Sequence, residues 1–197
     1  MADPAVAPPL APDAYLAMEA ASATRHEYVR GEVFAQAGAT DAHNDVATNV
    51  HARLRAHLRG SPCRAYLADV KLRVAAADAF FYPDVFVTCD LADAADPLVK
   101  RSAVVVVEVL SASTADYDRG DKFADYRKLP ALREYVLVDS RARRVEVFRK
   151  NAAGRWERDW LGGGDDLALE AIGLTLPVSA LYDDTTVPEA AAHPASR

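Results

Sequence analysis

The stretch that most constrains the fold is Ala103–Leu110, which reads Ala-Val-Val-Val-Val-Glu-Val-Leu. Successive strand residues point to opposite faces, so a run that is apolar at both parities must be covered on both sides. It is expected to be a central strand of a sheet with helices on its faces. Glu108 interrupts the run. An ionised carboxylate in such a strand is costly, and glutamate is almost never fully buried without a partner. Glu108 therefore either ends the strand, solvated or paired with an arginine, or serves as a metal ligand or general base.

Other segments extend the same architecture. Asp84 to Cys89, after Pro83, Glu134 to Asp139 and Arg144 to Arg149 read as strands. Ala65 to Val74 reads as one more, and Trp156 to Leu161 as the last. Leu174 to Tyr182 is expected to pack back on the sheet. His26 to Gln36 suggests a strand pair turning at Gly31. Val46, Val50, Leu54 and Leu58 form one stripe of a helix over Ala42 to Arg59. A second helix is expected over Tyr117 to Leu129, stopped by Pro130, and a short one over Asp13 to Glu19, capped by Asp13. This is an α/β fold with a central mixed sheet flanked by helices.

The chain has 197 residues, enough for one domain with a real core. Residues 1–12 and 188–197 read as a flexible arm and tail around a single domain over 13–187. No apolar run approaches the ~18–20 residues that span a membrane. The start, Met1-Ala2-Asp3-Pro4, lacks the basic-then-apolar order of a signal peptide. Two cysteines are too few for a disulfide framework, so Cys63 and Cys89 are expected reduced, as packing residues in a cytoplasmic protein. A net charge of −6 disfavours a passive nucleic-acid coat. It leaves open an enzyme acting on phosphodiesters, in which divalent metals supply positive charge locally.

Asp84 and Glu108 lie on strands that could be neighbours, and two acids side by side invite a divalent cation. Asp118, Lys122 and Tyr126 follow at i, i+4 and i+8, on one stripe of a partly exposed helix. That stripe is either a surface ion pair or a lysine aimed back at the carboxylates. His26, His51, His57 and His193 show no metal-ligand spacing, and Gly162-Gly163-Gly164 is a turn without phosphate-loop features. Arg141, Arg143, Arg144 and Arg149 cluster around one hairpin. They either protect a sheet edge or form a strip for backbone phosphates.

Pro83-Asp84-Val85, Val107-Glu108-Val109-Leu110-Ser111, Asp118-x3-Lys122-x3-Tyr126 and Arg133 to Asp139 together resemble the Uma2 family. Glu27-Tyr28-Val29-Arg30-Gly31-Glu32-Val33 and the helix starting near His43 match its N-terminal part. The likeness runs from about Tyr28 to Tyr182. That family belongs to the PD-(D/E)XK nucleases, so the resemblance implies a restriction-endonuclease-like fold and a metal-dependent endonuclease. By resemblance, Asp84 and Glu108 bind Mg²⁺ or Mn²⁺, with the Val109 carbonyl as a further ligand. The usual motif lysine is replaced by Leu110, and Lys122 stands where relatives carry a migrated lysine. Glu32 either adds a carboxylate from the hairpin or is a solvated turn residue. His43 is either a group that orients a water or contacts a phosphate, or a helix N-terminal histidine without chemistry. The implied partner is nucleic acid, DNA by analogy, with no membrane partner; homodimerisation is left open. The rival readings are a catalytically silent nucleic-acid- or protein-binding module on the same fold, and a metal hydrolase acting on another substrate.

Overall fold

A computed structural model of the chain describes residues 9–36 and 38–190. After α1 (Pro12–Ala21) come β1 (His26–Val29), β2 (Glu32–Ala35) and α2 (Asp41–His57). Then follow β3 (Arg64–Leu67), β4 (Lys71–Val74), β5 (Ala79–Phe81), β6 (Val85–Thr88), β7 (Val99–Lys100) and β8 (Ala103–Leu110). The next helical segment comprises α3 (Ala115–Tyr117), a π-helical turn (Asp118–Lys122) and α4 (Phe123–Tyr126). The chain continues through β9 (Glu134–Asp139), β10 (Arg144–Lys150), β11 (Trp156–Gly162), β12 (Asp166–Leu169) and β13 (Leu174–Pro177).

The strands form a six-stranded sheet, β11-β10-β9-β8-β6-β3, a five-stranded sheet, β2-β1-β5-β4-β7, and a β12-β13 ribbon. The larger sheet is mixed: β8 runs parallel to β9 and antiparallel to β6. As expected, β8 is central and covered on both sides. Val105, Val107 and Val109 pack with Val46, Val50, Leu54 and Leu58 of α2. Val106 and Leu110 pack on the other face with Tyr126, Leu129 and Tyr135.

Three local expectations need correction. Ala65 to Val74 is two strands in two sheets: the chain leaves β3 at Ala68, which adopts φ 38, and enters β4. It returns between β5 and β6 through Pro83-Asp84, and the two crossings are tied where the Ala68 N–H donates to the Asp84 carbonyl (3.0 Å). Second, α1 has no side-chain cap; Ala11 precedes it, and Pro12 opens it at a position needing no N–H partner. Third, Cys63 and Cys89 form a disulfide. They flank the antiparallel β3–β6 pair, in which Arg64 stands opposite Thr88, so the next residues outward meet directly.

Part of the expected arm, residues 1–8, lies outside the described residues. From Pro9 the chain is docked: the Leu10 N–H donates to the Gly31 carbonyl (3.1 Å). Gly31, at φ +91, accepts this approach because a Cβ there would sit 2.2 Å from Pro9 Cβ. Of the expected tail, 191–197 lies outside the described residues, His193 with it. Pro188 accepts from the Arg143 N–H (2.8 Å), and Glu189 pairs with the Arg143 guanidinium. Among the described residues no helix is long and apolar enough to cross a membrane.

Candidate active site

Asp84 precedes β6 at the crossing between the sheets, and Glu108 lies near the end of β8. Val85 pairs with Val107, so the register sets Asp84 against Glu108. The Asp84 N–H donates to Glu108 Oε2 (3.2 Å), and the Val109 N–H donates to Asp84 Oδ2 (2.7 Å). Each acid is thus anchored by the backbone of the other's strand. On the parity of Val106 and Leu110, Glu108 faces the helical segment rather than α2.

That segment delivers the expected lysine. Lys122 Nζ lies 3.0 Å from Glu108 Oε1, 3.0 Å from Glu27 Oε1 and 3.9 Å from Asp118 Oδ1. It also sits over the Phe81 ring, 5.6 Å from its centre. The Tyr126 hydroxyl donates to Glu108 Oε1 (2.8 Å). Asp118 and Lys122 both lie on the π-helical turn, a local widening often found at functional sites. Lys122 is not on a partly exposed face. It is only 7% exposed, with Glu108 at 3% and Asp118 at 4%.

Glu32 is not brought to this cluster. It pairs with Val29 beside the hairpin turn, on the sheet's outermost strand, and is exposed. The hairpin's contribution is Glu27, one strand further in on β1, which also accepts the Tyr82 N–H (3.2 Å). The sequence carried the signal weakly. Glu27 and Glu32 both occur in the hairpin, and only the pairing of β1 with β5 decides which one faces the lysine. His43 does reach the site from the first turn of α2, with Nε2 3.3 Å from Asp84 Oδ2. Its ring also hydrogen-bonds the Val109 backbone. The start of α2 is fixed by Thr40, whose hydroxyl accepts the His43 N–H.

The electrostatics are lopsided. Glu27, Asp84, Glu108 and Asp118 converge on one lysine and one histidine. Burial pushes Glu108 up, and the attraction of Lys122 only partly offsets it; Asp84, Asp118 and Glu27 push it further, to about 8. Burial likewise raises Asp118. Lys122 is held well above its ordinary value because Glu108, Glu27 and Asp118 outweigh its own desolvation. It is therefore a charged ammonium at neutral pH. His43 is raised too: burial opposes its charge, but Asp84 and the Val109 backbone favour it.

The arginine strip is not a free surface. Arg141 and Arg144 are spent on Asp139, Arg143 on Glu189, and Arg149 on Glu134 and Asp159.

Residues 12–179 match the Uma2 family model, described as "Putative restriction endonuclease". The chain is 34% identical over 175 residues to "Uncharacterized protein slr1290" of Synechocystis sp., covering 89% of this chain and 92% of that one. It is 31% identical over 144 residues to "Uncharacterized protein sll1609" of the same organism, covering 72% and 81%. Among solved structures it resembles a "putative nuclease belonging to DUF820" from Anabaena variabilis, with a TM-score of 0.74 at 15% identity. That match covers 88% of this chain and 97% of the other, and it establishes a shared fold.

Proposed function

Because the chain belongs to the Uma2 family, we propose that it is an endonuclease that hydrolyses phosphodiester bonds, of DNA by analogy, with Mg²⁺ or Mn²⁺. The observation that carries this reading is the convergence of Asp84, Glu108 and Lys122 at the joint between the sheets, with negative charge in excess. A divalent cation is what that excess lacks.

The donor set fits such an ion. Carboxylate oxygens from Asp84 and Glu108 are hard ligands, and Mg²⁺ commonly takes one or two carboxylates, completing its shell with water and substrate phosphate. Among the described residues no group of three or more His, Cys, Asp or Glu side chains is placed to hold a metal ion, so among side chains the proposed ion would draw on these two carboxylates alone. The Val109 carbonyl, which also takes a hydrogen bond from His43, has a second lone pair and would be a third donor. When bound, the ion would polarise the phosphate and favour deprotonation of a nearby water.

The chain's own groups divide the remaining tasks. Lys122, locked between Glu27 and Glu108, keeps its proton, so its role is to stabilise charge developing on the phosphate rather than to act as a base. Tyr126 holds Glu108 Oε1, and Glu27 holds Lys122 from the opposite side. His43 orients Asp84. The test is incubation of linear and supercoiled DNA with Mg²⁺, with Mn²⁺ and with a chelator. Cleavage is expected with either metal and none with the chelator. Binding without cleavage under every condition would favour the silent-module reading.

A further inference from the structure

A groove of about 630 Å³ lies between the C-terminal half of α2 and the edge strand β3, lined by His51, Arg55, Arg59, Cys63, Arg64 and Tyr66 among others. No acidic side chain lines it. Arg55, Arg59 and Arg64 are exposed, and among the described residues none of them joins an ion pair or side-chain hydrogen bond. On a chain with net charge −6, most other arginines are matched to acids: Arg25 to Asp69, Arg30 to Asp125, Arg53 to Asp183, Arg119 to Glu146. Basic residues near a helix C-terminus also complement its dipole. That accounts for Arg55 but not for Arg64, which lines the groove from the edge strand β3.

Both walls of the groove lead to the catalytic carboxylates. The helix wall starts at His43, against Asp84; at ~1.5 Å per residue Arg55 lies about 18 Å along it, and Arg59 stands in the turn just past its end. The strand wall ends at Leu67, opposite Val85, next to the Ala68–Asp84 backbone link. Along a duplex each strand presents a phosphate about every 3.4 Å, so Arg55 falls roughly five phosphates from the bond at Asp84 and Glu108, and Arg64, four strand residues of ~3.3 Å from the Ala68–Asp84 link, roughly four. Tyr66 offers no stacking platform, since its ring already stacks on Phe86 and lies under Lys100. The remaining groups are cationic donors suited to phosphate oxygens.

We infer that this groove binds the phosphodiester backbone of the nucleic acid being cut, on one side of the scissile bond, through Arg55, Arg59 and Arg64 and without base recognition. The inference rests on the nuclease reading for its substrate, but binding tests it independently of cleavage.

The experiment is fluorescence anisotropy of labelled DNA and RNA oligonucleotides, single-stranded and duplex, with the metal-free protein over a salt series. The triple variant Arg55→Gln, Arg59→Gln, Arg64→Gln is expected to bind at least tenfold more weakly at about 50 mM salt, and to lower the slope of log K against log salt by about two. The lysine triple at the same positions should restore most of both. Lys150→Gln, Arg155→Gln, Arg158→Gln makes the same charge change at the opposite edge, on and around β10–β11, and should leave both near the parent's values. The proposal is overturned if the groove triple matches the parent, if the control triple loses as much, or if the parent shows no salt-dependent binding. Weakened binding in the groove triple without cleavage under any metal would uphold the groove and sink the nuclease. Unchanged binding with cleavage intact would do the reverse.

Discussion

Glu108 on β8 and Asp139 at the end of neighbouring β9 are both buried carboxylates, yet their surroundings are opposed. Burial would raise Asp139, but the Arg141 side chain and N–H, with Arg144, hold it below the ordinary aspartate range. One acid meets two guanidinium groups, both partly open to water. At Glu108, burial and three neighbouring acids outweigh the single Lys122 and push it up to about 8. Asp139 is complete as it stands and does a structural job, closing the turn into β10. Glu108 is under-compensated, an imbalance that the proposed cation would relieve.

The sharpest way to break this comparison is to neutralise each acid in turn. Glu108→Gln and Asp84→Asn are each expected to lower metal-dependent cleavage by about 10³-fold, the scale of losing one preorganised charge-stabilising group. Asp139→Asn should leave cleavage near the parent rate and cost about 2 kcal/mol of stability, a buried-pair loss discounted for its exposed arginines. The pH dependence separates them as well. Burial and the neighbouring acids raise native Glu108 to about 8 against the pull of Lys122, whereas an unfolded glutamate titrates near 4.3. The native state therefore binds more protons across that window, and metal-free stability falls as pH rises through it. Glu108→Gln should flatten that fall on denaturant titration, and Asp139→Asn should not. Equal effects of the two changes on cleavage would erase the distinction.

Lys122→Ala tests the same imbalance from the cationic side. Cleavage is expected to drop by about 10²-fold. Contrary to what a partly exposed lysine would give, stability should also fall, by about 3 kcal/mol, because Glu27 and Glu108 are left buried without their cation. Lys128→Ala is the comparison. Lys128 pairs at the surface with Asp125, which Arg30 also serves, so a few tenths of a kcal/mol is expected. Thermal unfolding of the two variants side by side decides it.

How much of this could be read from residues alone depends on whether the signal was local. The apolar run of β8, the Val46-Val50-Leu54-Leu58 stripe and the order Asp84, Glu108, Lys122 are local, and they placed the core and the central trio. What stayed hidden needs the sheet register. Nothing near Ala68 marks the crossing between sheets, because an alanine there adopts a conformation usually signalled by glycine or asparagine. The choice of Glu27 over Glu32 depends on which hairpin strand borders β5. The Cys63–Cys89 link depends on β3 lying antiparallel to β6. That link spans a 26-residue separation, so Cys63→Ser with Cys89→Ser should cost about 3 kcal/mol. A thiol reagent in denaturant should count no free thiols before reduction and both after it.

The smallest expected effect is the most specific. His43 shares Asp84 with any cation bound there, since its Nε2 lies 3.3 Å from Asp84 Oδ2. In the metal-free protein the Asp84 carboxylate overcomes burial and raises His43 above an ordinary histidine. The charged ring thus contributes stability that is fully present below the unfolded value near 6.5 and is lost as pH rises through the folded one. A divalent ion on Asp84 cancels much of the charge that His43 feels, so adding Mg²⁺ should lower its NMR titration midpoint. Asp84→Asn should lower the midpoint without metal and abolish the response to metal. Glu108→Gln should leave the metal-free midpoint nearly unchanged and blunt the response, because the ion loses one ligand. A midpoint that ignores Mg²⁺ while cleavage proceeds would put the cation elsewhere and leave Asp84 as the partner of His43 alone.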